Sequence, residues 1–136
     1  MNLKEYFLQT KGKGFLATAS ATGHVDVAVY SRPHVTGDGT IAFIMRDRLT
    51  HTYMQENDHA AYAFIENGNG YRGIRLFLKK TGEDTDKELI DQMTRRQLTP
   101  EEDLARGPKF IVYFKVNKVL RLVGGEELDP AAIAIG

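Results

Sequence analysis

Gly14-Phe-Leu-Ala-Thr-Ala-Ser20, followed after a short polar connection by His24-Val-Asp-Val-Ala-Val-Tyr30, is the stretch that decides how this chain folds. In the first segment Phe15, Ala17 and Ala19 point one way; in the second Val25, Val27 and Val29 share a face. Side chains two apart lie on the same side of a strand, so this alternation is a β signal. The connection Ser20-Ala-Thr-Gly-His24 has turn chemistry, and the two segments read as a hairpin.

The same period continues on either side. Thr40-Ile-Ala-Phe-Ile-Met45 is a third strand, preceded by the tight turn Gly37-Asp-Gly39. Ala60-Ala-Tyr-Ala-Phe-Ile65 is a fourth, residues 71–79 a fifth, Lys109-Phe-Ile-Val-Tyr-Phe-Lys115 a sixth and residues 119–123 a seventh, with Asn117 a turn or bulge between the last two. Phe110 to Phe114 is aromatic on both faces, as expected of a strand buried on both sides. One side would face a barrel core and the other a dimer surface.

Short helices fill the gaps. Leu49, Tyr53 and Met54 have helical spacing over residues 49–56. Thr85 and Glu88 form a capping box ahead of Leu89, Ile90 and Met93. Thr99-Pro100 opens another helix, with proline at its first position. Residues 1–8 carry an apolar stripe of Leu3, Phe7 and Leu8. Regular βαβ alternation is missing, which argues against a doubly wound parallel sheet. The order predicts a mainly β, mostly antiparallel barrel of six to seven strands with a few short helices.

The bulk properties narrow the function. A chain of 136 residues fits one domain. Basic and acidic residues balance at 18 each, which removes the main electrostatic argument for nucleic acid as a partner. There is no cysteine, hence no thiol nucleophile or thiolate metal site. His24, His34, His51 and His59 lack metal-ligand spacing, so no metal is expected. No apolar run approaches the roughly 20 residues of a membrane span, and residues 1–10 contain no apolar signal core. The chain is therefore read as cytoplasmic, with no membrane partner.

Three stretches are candidates for chemistry. Met45-Arg-Asp-Arg-Leu-Thr-His51 joins the end of a strand to the start of a helix. A helix N-terminus offers unpaired N–H groups and partial positive charge, both suited to an anion. Arg46, Arg48, Thr50 and His51 add donors there, and the planar arginine fork matches phosphate. The plain alternative is that Asp47 or Thr50 caps the helix and the arginines are solvated. In Val29-Tyr-Ser-Arg-Pro-His34 the proline takes the strand to an edge, where backbone groups can read a planar heterocycle, or where the strand simply ends. Gly68-Asn-Gly-Tyr-Arg-Gly73 matches G-x-G-x-x-G, but a strand rather than a helix follows, so it reads as a hairpin turn.

The order of these segments over residues 3–123 resembles the pyridoxamine 5'-phosphate oxidase-like FMN-binding split β-barrels. Val27-Ala-Val-Tyr-Ser-Arg-Pro-His34, Ala42-Phe-Ile-Met-Arg-Asp-Arg-Leu-Thr-His51, Gln55-Glu-Asn57 with Ala60-Ala-Tyr-Ala-Phe-Ile-Glu66, and Gly70-Tyr-Arg-Gly-Ile-Arg-Leu76 carry the likeness. The resemblance implies a homodimer with FMN at the subunit interface. It implies that the phosphate lies at Arg46, Arg48, Thr50 and His51, with Met45 and Leu49 beside them, and the isoalloxazine edge against Val29, Tyr30, Ser31 and Arg32. Tyr71, Arg72 and Arg75 would come from the other subunit.

Two departures from pyridoxamine 5'-phosphate oxidase itself stand out. The lysine usual in its phosphate-binding segment is Thr50 here, and its C-terminal arginine–histidine motif has no match in residues 120–136. The expectation is thus an FMN-dependent oxidoreductase acting on an unidentified small molecule. A non-enzymatic flavin carrier or electron-transfer protein, and a related barrel holding haem or F420, are the alternatives. Arg48-Leu-Thr-His51 favours a phosphate-bearing ligand over haem.

Overall fold

The computed structural model describes residues 1–94 and 98–134. The expected hairpin is present as β1 (Gly12–Ala19) and β2 (Val25–Val29), paired antiparallel with Phe15 opposite Val29 and Ala17 opposite Val27. After it come β3 (His34–Gly37), β4 (Thr40–Arg46), helix α2 (Leu49–Glu56), β5 (His59–Glu66) and β6 (Gly73–Asp84). Helices α3 (Lys87–Met93) and α4 (Pro100–Ala105) lead into β7 (Lys109–Arg121) and β8 (Glu127–Leu128); α1 (Leu3–Gln9) precedes them all. The strands form one antiparallel sheet in the order β2-β1-β5-β6-β7-β4-β3, with β8 on β7. The split-barrel reading of the sequence holds.

The concave side of the sheet holds an aromatic core. Phe43, Tyr62, Phe64 and Phe114 pack with Tyr6 and Phe7 of α1, mostly edge to face. Such pairs add roughly 0.5–1.5 kcal/mol beyond their burial. Asn2 and Glu5 form a reciprocal capping box at the start of α1. The helix is turned differently from the expected stripe: Tyr6 is buried beside Leu3 and Phe7, while Leu8 is exposed.

Three other expectations are corrected. The sixth and seventh strands are one strand, β7; Asn117 is its bulge, since Phe77 pairs with Lys118 and Leu78 with Val116. An extra residue bends a strand without ending it. The second face of β7 is covered within the chain by α3 rather than left open. Ile111 and Tyr113 are covered there by Leu89, Ile90 and Met93 of α3. The cap of α3 is Asp86, which accepts from the N–H groups of Glu88 and Leu89, rather than Thr85. The tail packs on its own chain: Ile133 is buried and its backbone bonds that of Met1.

Gly14 shows how the core shapes the strand that matters most. A Cβ there would lie 1.8 Å from the Tyr62 hydroxyl. That hydroxyl donates to the Tyr30 carbonyl at 3.1 Å, and the Tyr30 N–H donates to the Gly14 carbonyl at 3.0 Å. The end of β2 is thereby fixed from below.

Candidate functional site

An open cleft of about 890 Å³ lies between the end of β2, the start of α2 and the α3–α4 flank. Its size is in the range of cofactor pockets, roughly 300–1,000 Å³. Eight of the thirteen residues expected to hold a cofactor line it: Val29, Tyr30, Ser31, Arg32, Arg46, Arg48, Leu49 and Thr50.

The junction between β4 and α2 is built as an anion site would be. Arg48 is the N-cap residue of α2, in extended conformation, and no side chain caps the helix. The capping alternative, through Asp47 or Thr50, is therefore not realised. The residues of the first turn, Leu49 and Thr50, line the cleft, and the helix N-terminus brings unpaired N–H groups and partial positive charge there. Among the described residues, no hydrogen bond or ion pair holds the exposed Arg48 guanidinium. Thr50 is buried; its hydroxyl donates to Asp26 Oδ2 at 3.3 Å and is hydrogen-bonded to the Tyr30 hydroxyl. Burial pushes that phenol above its usual range, opposed by the Thr50 bond.

Other expected residues are committed elsewhere. Arg46 borders the cleft, but its guanidinium is spent on α4: it pairs with Asp103 at 2.6 Å and donates to the Gly107 carbonyl at 2.7 Å. Lys109 holds the same carboxylate at 2.8 Å. Hydrogen bonds from Lys109 and Arg46 keep the Asp103 carboxyl below the usual carboxylate range. Arg32 donates to the carbonyls of Phe7 and Thr10, closing the C-terminal end of α1. The Tyr30 backbone is occupied by Gly14 and Tyr62, so the exposed backbone beside the cleft is that of Ser31.

Met45 and His51 point away from the cleft. Met45 is fully buried in the core. His51 stacks on Phe110 with ring centroids 3.9 Å apart, and its Nε2 lies 3.0 Å from Glu83 Oε1. It anchors α2 to β6 and β7. Burial would raise the Glu83 pKa, but hydrogen bonds from Lys80, Gln55 and His51 win and hold it low. Tyr71, Arg72 and Arg75 do not line the cleft. Tyr71 is exposed, Arg72 lies 3.7 Å from Glu66, and Arg75 donates to the carbonyls of Arg121 and Gly124.

The sequence reading missed Asp26, Phe43, Met93, Leu98, Arg106 and Lys109 as cleft residues. Asp26 carried a usable signal, as the one charged residue inside the β2 alternation. The α3–α4 residues carried none, because their approach depends on the Arg46 tie.

No protein-family model matches the chain, and no curated protein matches it either. Solved structures do match in fold. An FMN-binding protein from Syntrophomonas wolfei subsp. wolfei superposes with a TM-score of 0.72 at 19% identity, covering 92% of this chain and 86% of that one. An F420 reductase superposes at 0.66 and 20% identity, covering 85% and 94%. A protein from Clostridium acetobutylicum related to general stress protein 26 of B. subtilis, of the pyridoxinephosphate oxidase family, superposes at 0.63 and 10% identity, covering 91% and 89%. The chain has the split-barrel fold of pyridoxamine 5'-phosphate oxidase-like structures. Fold alone does not transfer a reaction.

Proposed function

We propose that this chain binds FMN at the cleft and works as a homodimeric flavin-dependent oxidoreductase on a small-molecule substrate. The observation that carries this reading is the uncapped start of α2 with the free Arg48 guanidinium beside it, both opening on a cleft large enough for a flavin. Arg48 and the first-turn N–H groups would hold the phosphate. Tyr30, Ser31 and Arg32 would border the ring, and the apolar Phe43, Leu49 and Met93 would exclude water from it. FMN would supply the hydride or electron chemistry, while the protein supplies position and electrostatics.

The dimer is supported by an uncovered apolar face. Val25, Val27 and Val29 are 78%, 64% and 76% exposed on edge strand β2, and Phe15, Ala17, Ala61 and Ala63 continue the same face inward. Patches of this kind mark interaction sites. A second copy seated there would shelter the outer end of the cleft, where Val29 belongs to both surfaces, and would bring Tyr71, Arg72 or Arg75 to the flavin.

The absorption spectrum of the purified protein tests the flavin reading. A yellow protein that releases FMN on denaturation is expected; a colourless protein that takes up no FMN contradicts it. Anaerobic mixing with NADH or NADPH then separates an oxidoreductase, whose flavin bleaches at a catalytic rate, from a passive carrier. The F420 reductase likeness supports a second reading, in which the deazaflavin takes the place of FMN.

A further inference from the structure

The cleft carries a negative charge where an anionic group would dock. Asp26 lies on β2 with its side chain on the face shared by Ala28 and Tyr30, and all three line the cleft. Its Oδ2 accepts the Thr50 hydroxyl, in the first turn of α2. Thr50 is in turn bonded to Tyr30. A hydroxyl owns one proton. That proton goes to Asp26 or to the Tyr30 oxygen, so Thr50 brings no donor to an incoming anion. Nor does Asp26 serve the helix as a cap, since no side chain reaches those N–H groups. The anion subsite therefore sets the charge of Arg48 and the α2 dipole against a standing carboxylate.

We propose that Asp26 tunes this subsite against the second negative charge of a phosphomonoester such as FMN, so that the same flavin is held more tightly when its phosphate carries one charge. The proposal rests on the flavin reading above. A phosphomonoester has a second pKa near about 6 and approaches two negative charges in mildly alkaline buffer. A diester keeps one. The second charge adds repulsion from Asp26 in a half-exposed site, where Coulomb energies exceed their value in bulk water. The charged and titratable groups lining the cleft are Asp26 of β2, Tyr30 and Arg32 just beyond it, His34 of β3, Arg46 of β4, Arg48 at the N-cap of α2, Arg106 beyond α4 and Lys109 of β7. Arg46 and Lys109 already share Asp103, so at the start of α2 itself the nearest opposed charges are Arg48 and Asp26, with Arg106 across the cleft.

The test compares FMN with its phosphate methyl ester, which has the same ring and ribityl chain and one charge fewer at alkaline pH. Dissociation constants are read by flavin fluorescence for the wild type, Asp26→Asn and Asp26→Ser. Asparagine keeps the shape of the side chain and an oxygen for Thr50. Removing the carboxylate is expected to shift the FMN-to-ester affinity ratio toward FMN by about tenfold in both variants, the scale of one charge interaction in a half-exposed site. An unchanged ratio, or a shift toward the ester, overturns the proposal and leaves the flavin reading standing. Loss of both ligands in both variants also overturns it, because Asp26 would then be a support and not a filter. Failure of the wild type to bind either ligand removes the flavin reading together with the proposal.

Discussion

The two flanks of the cleft are held by different physics. The α2 flank is anchored from inside: Thr50, His51 and Met54 are buried, and the His51 ring lies flat on Phe110. The α4 flank has no buried residue. It is latched from outside, by Arg46 and Lys109 sharing the Asp103 carboxylate and by Arg46 on the Gly107 carbonyl. A packed anchor costs the full cavity when removed, whereas ion pairs open to solvent on one side contribute less to global stability. The proposed anion subsite thus lies on the packed flank, and the opposite flank is held, among the described residues, by polar contacts alone.

Substitutions separate the two flanks. Met54→Ala should have the largest effect, destabilising the protein by about 2–5 kcal/mol because the 1% exposed side chain leaves a cavity under α2. Denaturant unfolding measures it, and a change near zero would mean that α2 is not core-anchored. Arg48→Ala should leave stability alone and weaken FMN binding by roughly 1.5–3 kcal/mol, the loss of a charge-assisted hydrogen bond. An unchanged FMN dissociation constant would count against the phosphate assignment.

Asp103→Asn should have the smallest global effect. It should leave Tm almost unmoved while hydrogen exchange in α4 accelerates severalfold. The same latch has a pH signature. Asp103 has a folded pKa below its unfolded one, so the latch contributes fully above the ordinary aspartate range and is lost as pH falls through the lowered folded value. In the wild type, α4 exchange corrected for intrinsic pH dependence should stay slow until the solution is more acidic than that range. In Asp103→Asn it should be fast at every pH. Identical profiles for the two proteins would show that α4 is held by something else.

The same contrast explains what the sequence revealed. The β1–β2 hairpin was legible because alternation in residues 14–20 and 25–29 is a local signal. The helix start at Leu49 was legible for the same reason, and Arg48 with it. Short β3 was missed because four residues after Pro33 hold too little alternation. The role of His51 was illegible, since its partner Glu83 lies 32 residues away in sequence. Arg46 was legible as a cation near the site, but nothing local announces that α4 consumes its charge. Asp26 was overlooked because the valines around it drew the reading to the other face of the strand.

The ratio of FMN to riboflavin affinity isolates the phosphate grip, since the two ligands differ only in that group. A preference for FMN of about tenfold or more in the wild type, shrinking in Arg48→Ala, is the predicted result. Equal affinity for the two ligands in the wild type would contradict a phosphate held at the start of α2.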